Sequence, residues 1–356
     1  MLHARANEAQ RSSNPGVLIM TSPSVSVIIP TYNRAHMLPR ALDSVVGQTF
    51  SDWEIVLVDD GSTDSTPALA ADYAHRLGDR FRYLIRPHVG CCAARNAGID
   101  VARGRFVAFL DSDDEFRPEK LARQMELFGL RPELGLVYCD YDCIDVDGES
   151  AGRAFDTRCR GGRDVPREPV APEMYVCGPE LFDVLLRSYF IATITGLVRR
   201  EVLGSGIRFT RDPAYAEEWL FYLQVTRFWR GGFVDEPLCI HHFTPGSVSR
   251  TSSRMNLVRR HQLLRQMPAA LAPLSRVQRR IIRDHVISNC RQLGFDTYRD
   301  GAYRDAARFF GESFMCRPNV VDLGRAIEST LFRLRRDVRP ALLVDLATQD
   351  EVEAVR

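Results

Sequence analysis

Asp111-Ser112-Asp113-Asp114 follows directly on the apolar run Phe106-Val107-Ala108-Phe109-Leu110, so three carboxylates close a segment that reads as a buried strand. In an open α/β sheet, ligands bind beyond the carboxyl ends of the strands, where such a cluster would meet a substrate. Carboxylate oxygens are hard ligands suited to Mg²⁺ or Mn²⁺, and these ions commonly sit between protein carboxylates and nucleotide phosphates. The chemistry suggested is a metal-assisted nucleotide site. A solvated acidic turn is the competing reading, because Asp and Ser favour turns through local hydrogen bonds alone.

The elements that must position this cluster decide between the two. Continuous apolar runs at 25–29, 55–58, 82–85 and 106–110 alternate with amphipathic stretches over 37–47, 65–77 and 93–102. That alternation predicts parallel strands, buried on both faces and joined by helices, with Gly78 and Gly104 as helix stops. Thr31-Tyr32-Asn33 then follows the first strand, Asp59-Asp60-Gly61 the second and the Asp cluster the fourth. Three polar turns converge on one sheet edge, which favours a binding site over scattered turns.

The 356 residues carry a formal net charge of +1 and 45% hydrophobic content, as expected of a globular enzyme-sized chain and not of a general nucleic-acid binder. Nine cysteines without a repeated CxxC spacing read as reduced thiols of a cytoplasmic protein. No apolar stretch reaches the roughly 18 residues of a spanning helix. Residues 1–22 read as a disordered leader, 23–252 as the α/β domain and 253–356 as a helical, Arg-rich region. Within the α/β domain, a fifth apolar run lies at 136–138, and the Gly-, Pro- and Arg-rich segment 147–180 reads as a long loop or insertion. A helix over 179–188, a strand over 191–199 and an acidic-headed helix over 217–228 follow. The stretch 301–310 resembles one tetratricopeptide helix, and a single copy makes no repeat array.

Taken in order, Val27-Ile28-Ile29-Pro30-Thr31-Tyr32-Asn33, Gln48-Thr49-Phe50, Val58-Asp59-Asp60-Gly61-Ser62-Thr63-Asp64, Ala94-Arg95-Asn96-Ala97-Gly98 and Phe109-Leu110-Asp111-Ser112-Asp113-Asp114 resemble the family 2 glycosyltransferases of GT-A fold. Glu217-Glu218-Trp219 resembles the family's catalytic Glu-Asp pair, and Glu236-Pro237-Leu238 with Pro245-Gly246-Ser247-Val248-Ser249 resembles its closing loop. The resemblance implies a Rossmann-like, mostly parallel sheet flanked by helices. It also implies an inverting sugar transfer from a nucleotide-sugar donor, UDP-linked by expectation, to a glycan or lipid-linked acceptor. By the same carry-over, Pro30, Thr31 and Tyr32 surround the base, Asp60 bonds its edge and Arg95 pairs with the diphosphate. Asp111 faces the ribose or the metal, and Asp113 holds the metal, Mn²⁺ or Mg²⁺. Glu218 takes the base position, with Glu217 as its rival because the usual Asp is absent; a carboxylate in this role does not require a raised pKa. His242, standing where the family often has Arg, is a candidate phosphate contact, and Trp219 reads as core packing.

Two readings from other classes stand beside this one: a non-catalytic nucleotide-sugar binding protein, and a nucleotidyltransferase, for which the loop after the first strand lacks the usual glycines. The Arg-rich C-terminal helices either attract anionic lipid headgroups, giving peripheral membrane contact, or cover the sheet or form a homodimer contact. Interleaving with Asp and Glu favours the second.

Overall fold

A computed structural model describes residues 22–210, 216–244 and 253–333. The predicted leader up to residue 21, the Pro245–Ser249 part of the closing-loop motif and the C-terminal residues from 334 onward lie outside the described residues.

The chain opens with β1 (Val25–Thr31), α1 (Leu38–Val46), β2 (Trp53–Asp59), α2 (Thr66–Leu77), β3 (Phe81–Ile85), α3 (Cys91–Val101) and β4 (Phe106–Phe109). These match the predicted alternation. Every residue of β1 and β2 is buried, as continuous apolar runs require when helices cover both faces. The polar Ser26 and Glu54 survive there because each is satisfied: Ser26 Oγ donates to Glu54 Oε1 at 2.6 Å, and Arg103 Nε reaches Glu54 Oε2 at 2.8 Å. Helix α3 lies so close to β1 that a Cβ on Gly98 would stand 2.4 Å from Ile28, which is why this helix carries a glycine facing the sheet.

Next come β5 (Glu115–Phe116), α4 (Lys120–Leu130), β6 (Leu134–Ile144), β7 (Ser150–Arg153), α5 (Ala154–Thr157), β8 (Arg167–Ala171), β9 (Met174–Cys177), α6 (Leu181–Arg187), β10 (Leu197–Arg199), α7 (Arg200–Gly204), α8 (Glu217–Phe228) and β11 (Arg230–His242). The strand order is β3-β2-β1-β4-β10-β6-β11-β9-β8, with β5 on β11 and β7 on β6. Strands β1 to β4 pair in parallel, as do β6 and β11, whereas β10 runs antiparallel between β4 and β6. The sheet is therefore mixed and mostly parallel at its core.

Two expectations need correction. Segment 147–180 is not a plain loop: β8 and β9 form a hairpin that continues the sheet beyond β11, and β7 pairs back on β6. Residues 191–199 are only partly a strand, with a 3₁₀ turn at Thr193–Thr195 before β10.

Beyond the sheet, α9 (Ser253–Ala270), α10 (Arg276–Arg299), α11 (Tyr303–Cys316) and a further helix over 320–333 form the C-terminal region. A Ser275/Gln278 capping box starts α10. The interleaved charges are partly spent on internal ion pairs, such as Arg254–Asp300 and Arg265–Glu312. His285 of α10 bonds the Leu186 carbonyl of α6 at 3.0 Å, and Gln278 bonds Asp183 at 2.8 Å, so these helices pack over the α6/α8 side of the domain. Among the described residues no helix is long and apolar enough to cross a membrane.

Candidate active site

Parallel pairing places the ends of β1, β2 and β4 on one edge, and backbone hydrogen bonds tie their turns together: Asp60 N donates to Thr31 O at 2.9 Å and Leu110 N to Ile28 O at 3.0 Å. Asn33, at φ 51°, accepts from Thr63 N at 2.7 Å through its side chain, clamping the first turn to the second; Asn tolerates this left-handed conformation better than most residues. Pro30 and Thr31 are buried, while Tyr32 projects with 41% of its surface exposed and stacks on His88, centroids 4.0 Å apart. Asp59 braces its turn, accepting from Ser62 N at 2.8 Å and Tyr83 Oη at 2.5 Å. Asp60 is buried and accepts from Val89 N at 2.9 Å and Gly90 N at 2.7 Å, with His88 Nδ1 2.8 Å from its Oδ2. Its carboxylate thus organises the loop before α3, beside the stacked rings of Tyr32 and His88.

In the Asp cluster the three carboxylates have different surroundings. Asp113 Oδ2 accepts from Arg34 Nη1 at 2.7 Å and from Thr244 Oγ1 at 2.9 Å, and Arg40 bonds the Asp113 carbonyl. Asp111 Oδ1 accepts from Arg95 Nη2 at 2.6 Å. Asp114 is buried between His241 Nδ1, at 3.1 Å, and His242 N, at 2.9 Å. Burial raises the Asp114 carboxyl to about 6 against the opposing pull of His241. Burial alone would lower His241, but the charge and hydrogen bond of Asp114 more than offset it and raise the imidazole. The ring of His242 is turned to Glu115, with Nε2 2.8 Å from Oε1, and His241 is the histidine that lines the adjoining cavity.

Helix α8 carries the two glutamates in different directions, as neighbours roughly 100° apart on a helix must be. Glu217 is buried and accepts from Arg95 Nη1 at 2.7 Å. Arg95, expected to face a diphosphate, is itself buried and bridges Glu217 to Asp111, so both of its terminal nitrogens are engaged by carboxylates. Desolvating a guanidinium is costly without such partners, which accounts for the difference. Phe209, whose backbone is bonded twice by Asn96, lies 5.2 Å from the Arg95 guanidinium and stacks on Phe221 of α8.

Glu218 faces a cavity of about 520 Å³ whose walls include Asp111, Tyr141, Tyr189, Trp219 and His241. Tyr189 Oη donates to Glu218 Oε1 at 2.5 Å. Burial, reinforced by the Glu217 charge, raises the Glu218 carboxyl to about 7, with Tyr189 and Arg95 pulling the other way. Trp219 is packed in the core as expected, its indole N–H donating to Leu185 O at 2.7 Å.

The chemistry of the donor set suits Mg²⁺ or Mn²⁺ bound through one or two carboxylates and completed by substrate oxygens. Asp111 and Asp113 are both partly exposed, and the hydrogen bonds described above fall on a single oxygen of each. Asp114 has both oxygens engaged by the histidine segment, which makes it a brace for β11.

Sequence reasoning did not single out Arg34, His88 or Tyr189 for these contacts. Arg34 sits beside the first turn and 79 positions before Asp113, and Tyr189 lies in a stretch without clear periodicity. The usable signal was local: a lone cation one residue beyond Thr31-Tyr32-Asn33, on the edge where the carboxylates converge.

A family model described as Glycosyl transferase family 2 matches residues 26–164. The chain is 30% identical over 207 residues to the Bacillus subtilis (strain 168) glycosyltransferase TuaG, named for teichuronic acid biosynthesis, with 57% of this chain and 73% of TuaG covered. It is 38% identical over 130 residues to the uncharacterized glycosyltransferase RP339 of Rickettsia prowazekii, covering 36% of this chain and 40% of that one. The chain thus spans well under half the length of RP339 and, at 42%, of the Bacillus subtilis protein EpsH. Among solved structures, S. aureus TarS 1–349 in complex with UDP-GlcNAc superimposes with TM-score 0.63 at 19% identity, over 88% of this chain and 92% of that one. The Pyrobaculum calidifontis mannosyltransferase PcManGT, in complex with GDP-Man and Mn²⁺, does so with TM-score 0.50 at 17% identity, over 90% and 83%.

Proposed function

The chain belongs to glycosyl transferase family 2, and from that premise we propose that it moves a hexose from a nucleotide-sugar donor, UDP-linked, to a hydroxyl of a glycan or lipid-linked saccharide, with inversion at C1. The observation that carries this reading is the division of labour in α8: Glu217 is consumed by Arg95, whereas Glu218 stands in a cavity that also contains Asp111.

In the proposed step the acceptor oxygen bonds C1 as the bond from C1 to the diphosphate oxygen breaks. The electron pair leaves with the nucleoside diphosphate, and the hydroxyl proton passes to Glu218. A hydroxyl has a pKa far above neutrality, so an aligned base with a pKa near 7 is well matched to the task. Tyr189 holds one oxygen of that base in place. Tyr32 offers a stacking face to the nucleobase, with Pro30 and Thr31 behind it, while Asp60 fixes the loop that borders it. Asp113 and Asp111 would hold a divalent cation, Mn²⁺ or Mg²⁺, whose contribution when bound is to neutralise charge developing on the leaving diphosphate. Arg34 keeps the Asp113 carboxylate oriented, and Arg95 does the same for Asp111 and Glu217. The UDP-GlcNAc of TarS and the GDP-Man and Mn²⁺ of PcManGT support the donor class and the cation.

Release of nucleoside diphosphate from a panel of nucleotide sugars, with Mn²⁺ present, tests this reading. One donor should turn over, and Asp113→Ala should slow that release by about 10²-fold, the scale seen when charge stabilisation at a leaving group is removed. Equal turnover by the variant would contradict the assigned role of Asp113.

A further inference from the structure

The cavity that contains Glu218 is also lined by Arg158, Arg187 and Arg260. They come from three separate places in the fold: Arg158 just after α5, Arg187 at the end of α6 and Arg260 on α9. Among the described residues, none of the three is in an ion pair, unlike Arg34 and Arg95, which are paired with the Asp cluster. Arg158 instead lies 4.4 Å from the Phe243 ring and Arg260 5.8 Å from the Trp219 ring, and both rings line the same cavity. Aromatic faces hold a guanidinium in place without neutralising it. The carboxylates on the walls do not balance this charge. Asp111 is paired with Arg95, and Asp114 with His241, which leaves Glu218 alone against three guanidinium groups.

The cavity begins at Asp111 and extends away from Tyr32, Asp60 and His88. Tyr32, Asp60 and His88 belong to the β1/β2 side of the sheet, whereas Tyr141, His241 and Phe243 bring in the β6/β11 side across β4 and β10. A donor bound at the first side would present C1 near Asp111, with the acceptor entering from the second. Planar guanidinium forks match phosphate and carboxylate groups bidentately.

We propose that the acceptor is anionic: Arg158, Arg187 and Arg260 form a subsite for a phosphate or carboxylate group on the saccharide whose hydroxyl faces Glu218. This rests on the transferase reading above for the meaning of "acceptor", but the subsite itself is a binding property and can be measured without turnover. The volume of about 520 Å³ admits a sugar residue with its charged substituent. Arg260 gives the C-terminal helices a part in the site, since α9 brings this side chain to the cavity wall.

The test is equilibrium binding to the full chain of three probes: methyl glucoside 6-phosphate, methyl glucuronide and neutral methyl glucoside, each with and without saturating UDP. The charged probes should bind about tenfold or more tightly than the neutral one, and the phosphate and uronate arms report which anion the subsite takes. Arg187→Gln and Arg260→Gln should each erase about tenfold of the advantage, a factor typical of losing one charge-assisted contact. Arg187 is exposed, so its variant should fold, and unchanged thermal melting of both variants would verify that. Equal binding of the three probes, or an anion preference untouched in both variants, would overturn the proposal. So would a preference that vanishes once UDP is saturating, because the arginines would then belong to the donor diphosphate. Failure of the transferase reading looks different: no diphosphate release from any nucleotide sugar, with the probe preference intact.

Discussion

Glu218→Gln is expected to lower kcat for transfer by about 10²–10⁴-fold, the usual contribution of a positioned general base, while leaving donor affinity within a few-fold. Gln preserves the shape and can still accept from Tyr189, so the loss isolates proton transfer from packing. Glu217→Gln acts differently, because Glu217 is the buried partner of Arg95 and its loss disturbs the geometry of Asp111 as well. A second signature follows from the raised carboxyl of Glu218, at about 7 against an ordinary 4.5. The folded state holds this proton more tightly than the unfolded chain does. Stability from that preference is complete below about 4.5 and lost as pH rises through about 7. Glu218→Gln removes that dependence, so the variant should gain on the wild type in denaturation experiments between pH 5 and pH 8. Activity has the opposite slope: it needs the ionised base, and should climb with pH up to and somewhat beyond 7.

Arg95→Met should destabilise the fold by about 3–5 kcal/mol, measured by chemical denaturation at pH 7, because it strands Glu217 without a counter-charge in the interior. It should also abolish turnover through Asp111 and Glu217, whose orientations it sets. The double variant Arg95→Met/Glu217→Gln should recover a large part of the stability, since removing both members of a buried pair costs far less than removing one. Recovery of stability without recovery of activity is the expected combination. A loss below about 1 kcal/mol in the single variant would mean that the buried triad does not carry the load inferred for it.

How far the sequence reaches is seen by comparing particular residues. Strands β1, β2 and β4 were legible because burial on both faces demands unbroken apolar runs, and the Asp cluster because it terminates one of them. Strand β6 was underestimated, read only at 136–138, because Asp140 and Asp142 interrupt its apolar pattern; Asp140 is buried and is satisfied at long range by Arg153. The β8/β9 hairpin was hidden for a related reason: Pro169 and Pro172 interrupt it within a segment rich in Gly, Pro and Arg, and it is held by pairing with β11, some 60 residues away in the chain. In the site, residue types were legible and their partners were not. Arg95 carries the same charge whether it meets a phosphate or two carboxylates, and only its burial beside Glu217 decides which it meets here. Likewise, neighbouring glutamates look equivalent in a string of letters, while a helix sends one to Arg95 and the other to Tyr189.

The pH dependence of kcat/KM for nucleoside diphosphate release coupled to transfer, in wild type and Tyr189→Phe, tests most directly whether Glu218 is the base. Tyr189 donates to Glu218 and stabilises its ionised form. The wild type should show an acidic limb with a midpoint near 7, and Tyr189→Phe should move that midpoint upward with the high-pH plateau reduced much less than in Glu218→Gln. An acidic limb that stays put in Tyr189→Phe, together with substantial activity in Glu218→Gln, would contradict the assignment and pass the role of base to another group.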